Sequence, residues 1–362
     1  MKMLEITPES HYQPLIERAV NFQHNLEIPF QDVNIPIIKL IGIGGAGCKI
    51  INRIHHMKLR NVDTIAVNTD NYQLNSTNAD KRVLIGKSLT KGLGAGGNPH
   101  LGKEAAEKAR PTLETLLEKS DLCFVILGVG GGTGSGSAPV IAQIAKDQGA
   151  VVIGLAIYPL PFEKNRLEIA KEGINSLIKN TNFVFILDNK LVQNFSNVSS
   201  LKNMYSVIDQ LISETIRGII ESISSPSFIN LDFVGFLNFL KDDKIGFISF
   251  YEGPITEIEK ISFGNFESKI NSLSEENKNK GILIYNVGGD TTLGQLESIT
   301  EKIRSNLKIG NDLIWVANVD KDLKEYFRVY LLFSSPLFTS LKDSENPLKL
   351  EKESYDISRF FK

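Results

Sequence analysis

With 362 residues, the chain is long enough for two domains and a sizeable core. Its 40 Lys and Arg nearly cancel its 42 Asp and Glu, leaving a formal net charge of −2 and no basic footprint for nucleic acid. Two cysteines, Cys48 and Cys123, fit a reducing compartment without a disulfide framework. No apolar run approaches the roughly 20 residues that a bilayer span needs, so a soluble cytoplasmic protein with no direct membrane span is expected.

Residues 1–34 carry no glycine-punctuated strand pattern and read as an N-terminal arm with a short helix near 12–23. The apolar run from Ile35 to Ile43 predicts a buried strand. It meets Gly42-Ile43-Gly44-Gly45-Ala46-Gly47, a formal G-x-G-x-x-G, before a helix from about Cys48 to Leu59. Taken alone, that motif offers a dinucleotide site and a nicotinamide-dependent oxidoreductase, with Asp63 or Asp70 as the ribose acid. A second strand, Val62 to Val67, delivers Asn68-Thr69-Asp70 at its carboxyl end, either as ligand groups or as an Asx-type turn. A second glycine loop, Lys91-Gly92-Leu93-Gly94-Ala95-Gly96-Gly97-Asn98-Pro99, precedes a helical stretch from Gly102 to Glu118. A Walker A loop is excluded, because Gly86-Lys87-Ser88 lacks the glycine five residues earlier.

The third glycine loop is the richest. Gly128-Val129-Gly130-Gly131-Gly132-Thr133-Gly134-Ser135-Gly136 stands between the strand Leu122 to Leu127 and a helical pattern from Ala138 to Lys146. Glycines let successive backbone N–H groups turn toward one concavity, and a helix start adds partial positive charge, so the stretch suits a phosphate chain. A flexible linker does not normally sit between a buried strand and a helix with hydroxyls at fixed places. Three such loops exceed the needs of one pyrophosphate and fit separate walls around a longer phosphate chain.

Beyond a strand at Ala150 to Ile157, Glu163 and Arg166 are candidates to reach a ribose or phosphate, the alternative being a solvated loop with a helix-end charge. Phe183 to Leu187 reads as a strand ending in Asp188-Asn189-Lys190 at the same edge. The alternation of strands and helices implies a doubly wound parallel sheet. Apolar residues at Met204, Ile208, Leu211, Ile212, Ile216, Ile219, Ile220 and Ile223 predict a long buried helix from about Asn203 to Ser224, stopped by Pro226. The second half predicts strands at 245–250, 281–287, 312–319 and 326–333 with a helix at 293–307. From Thr339 the chain turns polar and ends in an apolar-basic peptide.

The order of these loops over residues 36–335 resembles FtsZ, within the tubulin superfamily. Gly130-Gly131-Gly132-Thr133-Gly134-Ser135-Gly136 resembles the superfamily's signature loop, and Ala66-Val67-Asn68-Thr69-Asp70 and Lys91 to Pro99 resemble FtsZ loops. The resemblance implies an α/β fold of the tubulin/FtsZ type: a doubly wound GTPase domain, a long central helix and a smaller α+β C-terminal domain. It divides the chain into an arm (1–34), a GTP-binding domain (35–202), the central helix (203–224), a C-terminal activation or polymerisation domain (225–338), and a linker with C-terminal peptide (339–362). It places nucleotide at Gly44, Gly45, Ala46, Asn68, Gly94, Ala95, Gly96, the third loop, Glu163, Arg166, Asp188 and Asn189.

The resemblance also implies GTP with Mg²⁺, head-to-tail self-polymerisation in cell division, and a hydrolytic site shared between neighbours. Asn230 and Asp232 match the loop that a second subunit presents to the GTP of the first. FtsZ usually has another acid three residues later, where Gly235 stands here, so a filament with little or no GTPase activity is the alternative. Tyr205 fits the aromatic that stacks on the base, and Asp209-Gln210 stands where FtsZ usually shows Asn-Asp. Lys49 replaces a common Asn near the base, and the loop around Glu163 is one residue short. A carboxylate at Asp209 accepts from both N1–H and the exocyclic amino group of guanine, a donor pattern that adenine lacks. Asp356-Ile357 with Phe360, Phe361 and Lys362 resembles the FtsZ terminal peptide that docks on membrane-anchoring partners, which implies recruitment to the division site.

Overall fold

Strand β1 (Ile38–Ile43) has six buried residues, and their alternation feeds two cores. Ile38 and Leu40 join one apolar cluster, Ile41 and Ile43 the other. A strand whose side chains point alternately to two covered faces reads as a continuous apolar run, which is why period-two alternation is missing from the sequence here. Its one charged member is buried too: Lys39 Nζ donates to the carbonyls of Leu116 and Glu118, each at 2.7 Å, and so satisfies a helix end.

The structure is a computed structural model describing residues 36–188, 201–224, 233–241, 243–263, 279–320 and 322–335. The arm, Asn189, the segment carrying Asn230 and Asp232, and the C-terminal tail lie outside the described residues. Further strands are β2 (Val62–Asn68), β3 (Lys81–Leu84), β4 (Leu122–Gly128), β5 (Val151–Tyr158) and β6 (Phe183–Asp188). Then come β7 (Ile245–Pro254), β8 (Asn279–Val287), β9 (Ile309–Val319) and β10 (Tyr326–Ser334). They form one ten-stranded sheet in the order β3-β2-β1-β4-β5-β6-β7-β10-β8-β9. Pairing is parallel from β3 through β7, with Val184 of β6 opposite Ile245 of β7. β10 is antiparallel to both β7 and β8, and β9 runs parallel to β8. The mixed α/β sheet carries helices on both faces, with its parallel part covered as a doubly wound sheet requires.

On one face lie α1 (Gly44–Met57) and the long α8 (Leu201–Ser224). The opposite face carries α4 (Pro99–Lys108), α5 (Arg110–Leu117), α6 (Gly132–Asp147) and α7 (Lys164–Asn180). Short helices α2 (Asn71–Asn75) and α3 (Lys87–Thr90) bracket β3, α9 (Phe233–Phe239) precedes β7, and α10 (Leu293–Asn306) starts on a Thr292/Gln295 capping box. In α8 the predicted apolar positions Ile208, Leu211, Ile212, Ile216, Ile219 and Ile220 are buried.

Several boundaries differ from expectation for identifiable reasons. The single helix predicted over 102–118 is two helices, because Pro111 in the first turn of α5 has no N–H to continue the ladder of α4. Helix α6 begins at Gly132, six residues before the expected Ala138, so the second half of the third glycine stretch is helix and only 129–131 is loop. Likewise α1 starts at Gly44 instead of Cys48. Strand β3 and helices α2 and α3 have no counterpart in the sequence reading. Among the described residues no helix is long and apolar enough to cross a membrane.

Candidate functional site

The strand order reverses between β1 and β4, and open α/β sheets bind ligands outside the carboxyl ends of strands at such a switch point. A cleft of about 350 Å³ lies there. The first glycine segment supplies Gly44, Gly45 and Ala46, the second Gly94, Ala95, Gly96 and Gly97, and the third Gly131, Gly132, Thr133 and Gly134. Asn68, Asp70, Gln73 and Arg166 add side chains. The three stretches that the sequence separates by dozens of residues are thus walls of one cavity.

Two helices start at this cleft without a side-chain cap, α1 after Ile43 and α6 after Gly131. Their first-turn N–H groups therefore remain available to an anion, and both macrodipoles point their positive ends at it. The second loop reaches the cavity through left-handed backbone at Gly94, φ +88°, and Gly96, φ +58°. A Cβ on Gly96 would meet nothing within 4 Å, so this backbone faces open space.

The remaining contacts hold the walls in register. Thr69 Oγ1 lies 2.7 Å from Thr133 Oγ1, tying the end of β2 to the start of α6. Asp70 caps α2, accepting from Gln73 N–H and from Gln73 Nε2, both at 3.0 Å. Gly94 N–H donates to the Thr69 carbonyl at 3.2 Å, fastening the second loop to β2. Asn68 is buried, its Oδ1 accepting from Asp70 N–H at 3.2 Å.

Several sequence candidates stand behind the lining. Gly130 N–H donates to Ser135 Oγ at 2.9 Å, closing the loop on itself. Gly136 lies where α6 meets α4: a Cβ there would come within 2.0 Å of the Pro99 carbonyl oxygen. Glu163 braces Arg166 through a 2.6 Å ion pair and accepts from Leu160 N–H at 2.9 Å. Asp188 closes β6 opposite Tyr158, while Asn189, Asn230 and Asp232 fall outside the described residues. Gln73 was missed by the sequence reading, although Asp70-x-x-Gln73 has the spacing of a helix-start box and was legible as one.

Tyr205 and Asp209, on α8, are not part of the cleft lining. Burial raises the Tyr205 phenol, with Glu163 adding and Arg166 opposing, so its ring shares the electrostatic neighbourhood of the Arg166 wall. Asp209 is pushed up to about 6 by burial, while Lys49 and Arg53 of α1 draw it back. Arg53 bridges the helices directly, donating to Gln210 Oε1 at 2.9 Å and Ser206 Oγ at 2.6 Å. Among the described residues no group of three or more His, Cys, Asp or Glu converges to hold a metal ion, and Asp70 is the one carboxylate in the cleft lining.

The sequence profile of the Tubulin/FtsZ family GTPase domain matches residues 37–197. Cell division protein FtsZ 2 of Haloferax volcanii is 34% identical over 333 residues, covering 92% of this chain and 83% of that protein. Cell division protein FtsZ 2 of Methanocaldococcus jannaschii is 35% identical over 309 residues, covering 82% and 79%. An empty FtsZ dimer from M. jannaschii superposes with a TM-score of 0.74 at 29% identity, over 91% of this chain and 93% of that one. A GDP-bound CetZ1 monomer from Haloferax volcanii shares the fold with a TM-score of 0.64 at 22% identity, over 82% and 94%.

Proposed function

The chain belongs to the Tubulin/FtsZ family, and from that premise we propose that it binds GTP in the carboxyl-edge cleft and polymerises head to tail in cell division. One observation carries the reading: three glycine walls and two uncapped helix starts converge on a single cavity. Such an array of backbone donors suits a triphosphate, because it neutralises charge without side-chain reorganisation. Tyr205 stacks on the base, and Asp209 accepts from guanine N1–H and the 2-amino group. Magnesium enters with the phosphates and keeps several waters, so a single nearby carboxylate such as Asp70 fits it better than a protein cage would.

Hydrolysis is completed by a neighbouring subunit. Water attacks the γ-phosphorus, the bond to the bridging oxygen breaks, and GDP and inorganic phosphate leave. Asn230 and Asp232 of the incoming subunit orient the water, and Asp232 takes its proton. The exposed Leu93 in the cleft lining and the exposed Tyr72, Phe162 and Val234 support self-association, since large apolar side chains gain from burial against a partner. The protein is cytoplasmic and is brought to the division site by an anchor protein that binds residues 355–362. The domain division at 35, 203, 225 and 339 follows from the same reading.

A second reading, a nucleotide-bound filament with little or no hydrolysis, is favoured by Gly235. That residue sits in the first turn of α9, where the family usually has an acid. The nearby Asp243 does not replace it: it is buried and accepts from Ser334 Oγ at 2.7 Å. Identification of the nucleotide that copurifies, electron microscopy with GTP, GDP and no nucleotide, and a steady-state GTPase assay test the proposal. Filaments that require GTP support it, whereas copurifying nicotinamide dinucleotide or absence of assembly with GTP refutes it.

A further inference from the structure

The near balance of charge over the whole chain conceals an uneven distribution. Residues 44–103 hold nine Lys and Arg against three Asp, a net of +6 in a chain whose total is −2. Six of the nine, Lys58, Arg60, Lys81, Arg82, Lys87 and Lys91, are exposed, and none forms an ion pair among the described residues. They follow one border of the sheet. β3 ends the strand order, and because it pairs only with residues 65–68 of β2, the first half of β2 is border as well. Lys58 and Arg60 stand in the turn before β2, Lys81 and Arg82 open β3, and Lys87 and Lys91 stand one turn apart on α3 and its cap. A cavity of about 490 Å³ lined by Lys58, Val62 and Asp80 joins the turn to the start of β3. Two of the three acids are engaged internally: Asp80 accepts from Thr64 N–H at 2.8 Å and from Thr64 Oγ1 at 2.6 Å, and Asp70 caps α2. Gly86 packs against Ala105 of α4, where Glu104 is paired with Lys108 at 3.0 Å and Glu107 with Arg110 at 2.7 Å.

We propose that this basic border is a contact surface for the anionic phosphates of a lipid bilayer. Exposed cations on a border strand also discourage unwanted strand pairing, which accounts for Lys81 and Arg82 but not for the four that stand outside the strand. Nucleic acid presents phosphates too, but neither residues 49–62 nor residues 76–103 contain a Phe, Tyr or Trp on which bases could stack, whereas a lipid surface asks only for charge along a line. Each Lys or Arg held near an anionic leaflet is worth about fivefold in partitioning. With Asp63 set against the six, five net charges give on the order of 10³-fold. The contact itself does not depend on GTP binding or assembly. On the head-to-tail reading above, subunits meet through opposite ends of the strands, so the border runs along the filament and recurs once per subunit on one side, and a filament gains from many such contacts at once.

The test is cosedimentation of the purified full chain, without nucleotide, with vesicles of equal parts phosphatidylglycerol and phosphatidylcholine and with vesicles of phosphatidylcholine alone. The protein should sediment with the anionic vesicles and not with the neutral ones, and raising KCl from about 50 to about 500 mM should release it as the charges are screened. Lys81→Gln, Arg82→Gln and Lys87→Gln combined should weaken binding about 100-fold, and the separate pair Lys58→Gln with Arg60→Gln about 25-fold. Circular dichroism of both variants should match the parent, because all five side chains are exposed. Deleting residues 355–362 should leave vesicle binding unchanged. Addition of GTP should increase it at fixed protein concentration; binding that persists without that increase upholds the border and counts against the filament. Equal binding to neutral vesicles, binding that neither variant alters, loss of binding on deleting residues 355–362, or tighter binding to a short DNA duplex than to the anionic vesicles overturns the proposal.

Discussion

Gly136→Ala tests whether the glycine cluster serves the fold as well as the cleft. Helix propensity alone would favour alanine in a helix interior by roughly 0.5–1 kcal/mol. The packing opposes it: the new Cβ would lie 2.0 Å from the Pro99 oxygen and 2.8 Å from Lys103 N. Both obstacles are backbone of α4, so no rotamer relieves them, and the helices must part by about 1 Å to restore ordinary contact. The crossing is tight from the other side too, since a Cβ on Gly102 would come within 2.3 Å of the Gly132 oxygen. Overpacking of this kind costs about 1–3 kcal/mol or more, which outweighs the propensity gain. A net loss of about 2 kcal/mol should lower the melting temperature by roughly 3 °C for a body of more than 300 residues, at an unfolding entropy of about 2 cal/mol/K per residue. GTP affinity should fall with it, because Gly94 to Gly97 lead directly into α4. Gly131→Ala is the converse perturbation: its Cβ meets nothing nearer than 3.9 Å and projects from a residue that lines the cleft. Calorimetry with and without GTP should find Gly131→Ala close to the parent in melting temperature yet weak in nucleotide-induced stabilisation. A Gly136→Ala protein as stable as the parent would refute the close-packing argument.

Asp209→Asn should weaken the preference for GTP over ATP, and equal affinities for the two in the parent protein would reject the assignment. Because Asp209 is raised to about 6, the folded chain holds a proton there between about pH 4 and 6 that the unfolded chain has released, so its contribution to stability declines as pH rises through that window. The carboxylate form reads guanine, so the ratio of GTP to inosine triphosphate affinity should be larger at pH 7.5 than at pH 5; a flat ratio by titration calorimetry would remove Asp209 from base recognition. Asp232→Ala should stop residual hydrolysis while preserving GTP binding. Gly235→Asp should raise the rate per assembled subunit by up to about 10²-fold, the low end for a general base, and normal assembly with no gain would show that the missing acid does not limit turnover. Deleting residues 355–362 should leave polymerisation intact and abolish membrane recruitment in cells, and unchanged localisation would dismiss the anchor peptide.

The features legible in the sequence were those encoded locally. Period 3.6 along α8 named the apolar part of its buried face from Ile208 to Ile220, and strand-loop-helix order placed the glycine stretches at one sheet edge. Edge strand β3 was not legible, because its exposed Lys81 and Arg82 give neither an apolar run nor alternation, as suits a strand with one unpaired side. The start of α6 was hidden for a different reason. Glycine is a poor helix former, yet here it must occupy the first turns so that bare N–H groups face the cleft and α4 can approach.

That double use explains why the site itself was only partly legible. Gly96 and Gly131 leave open space where a ligand can approach the backbone. By contrast, Gly42, Gly47, Gly102 and Gly136 would each drive a Cβ to within 2.3 Å or less of a carbonyl oxygen. One letter in the sequence stands for both conditions, and the difference between them is set by which helix crosses nearby. The packing glycines hold α1 against β1 and α6 against α4, and those two junctions fix where the uncapped helix starts point. Nucleotide affinity should therefore respond to substitutions that touch no ligand, and it should do so in proportion to the stability they remove. Substitutions at the open glycines should change affinity with little change in stability.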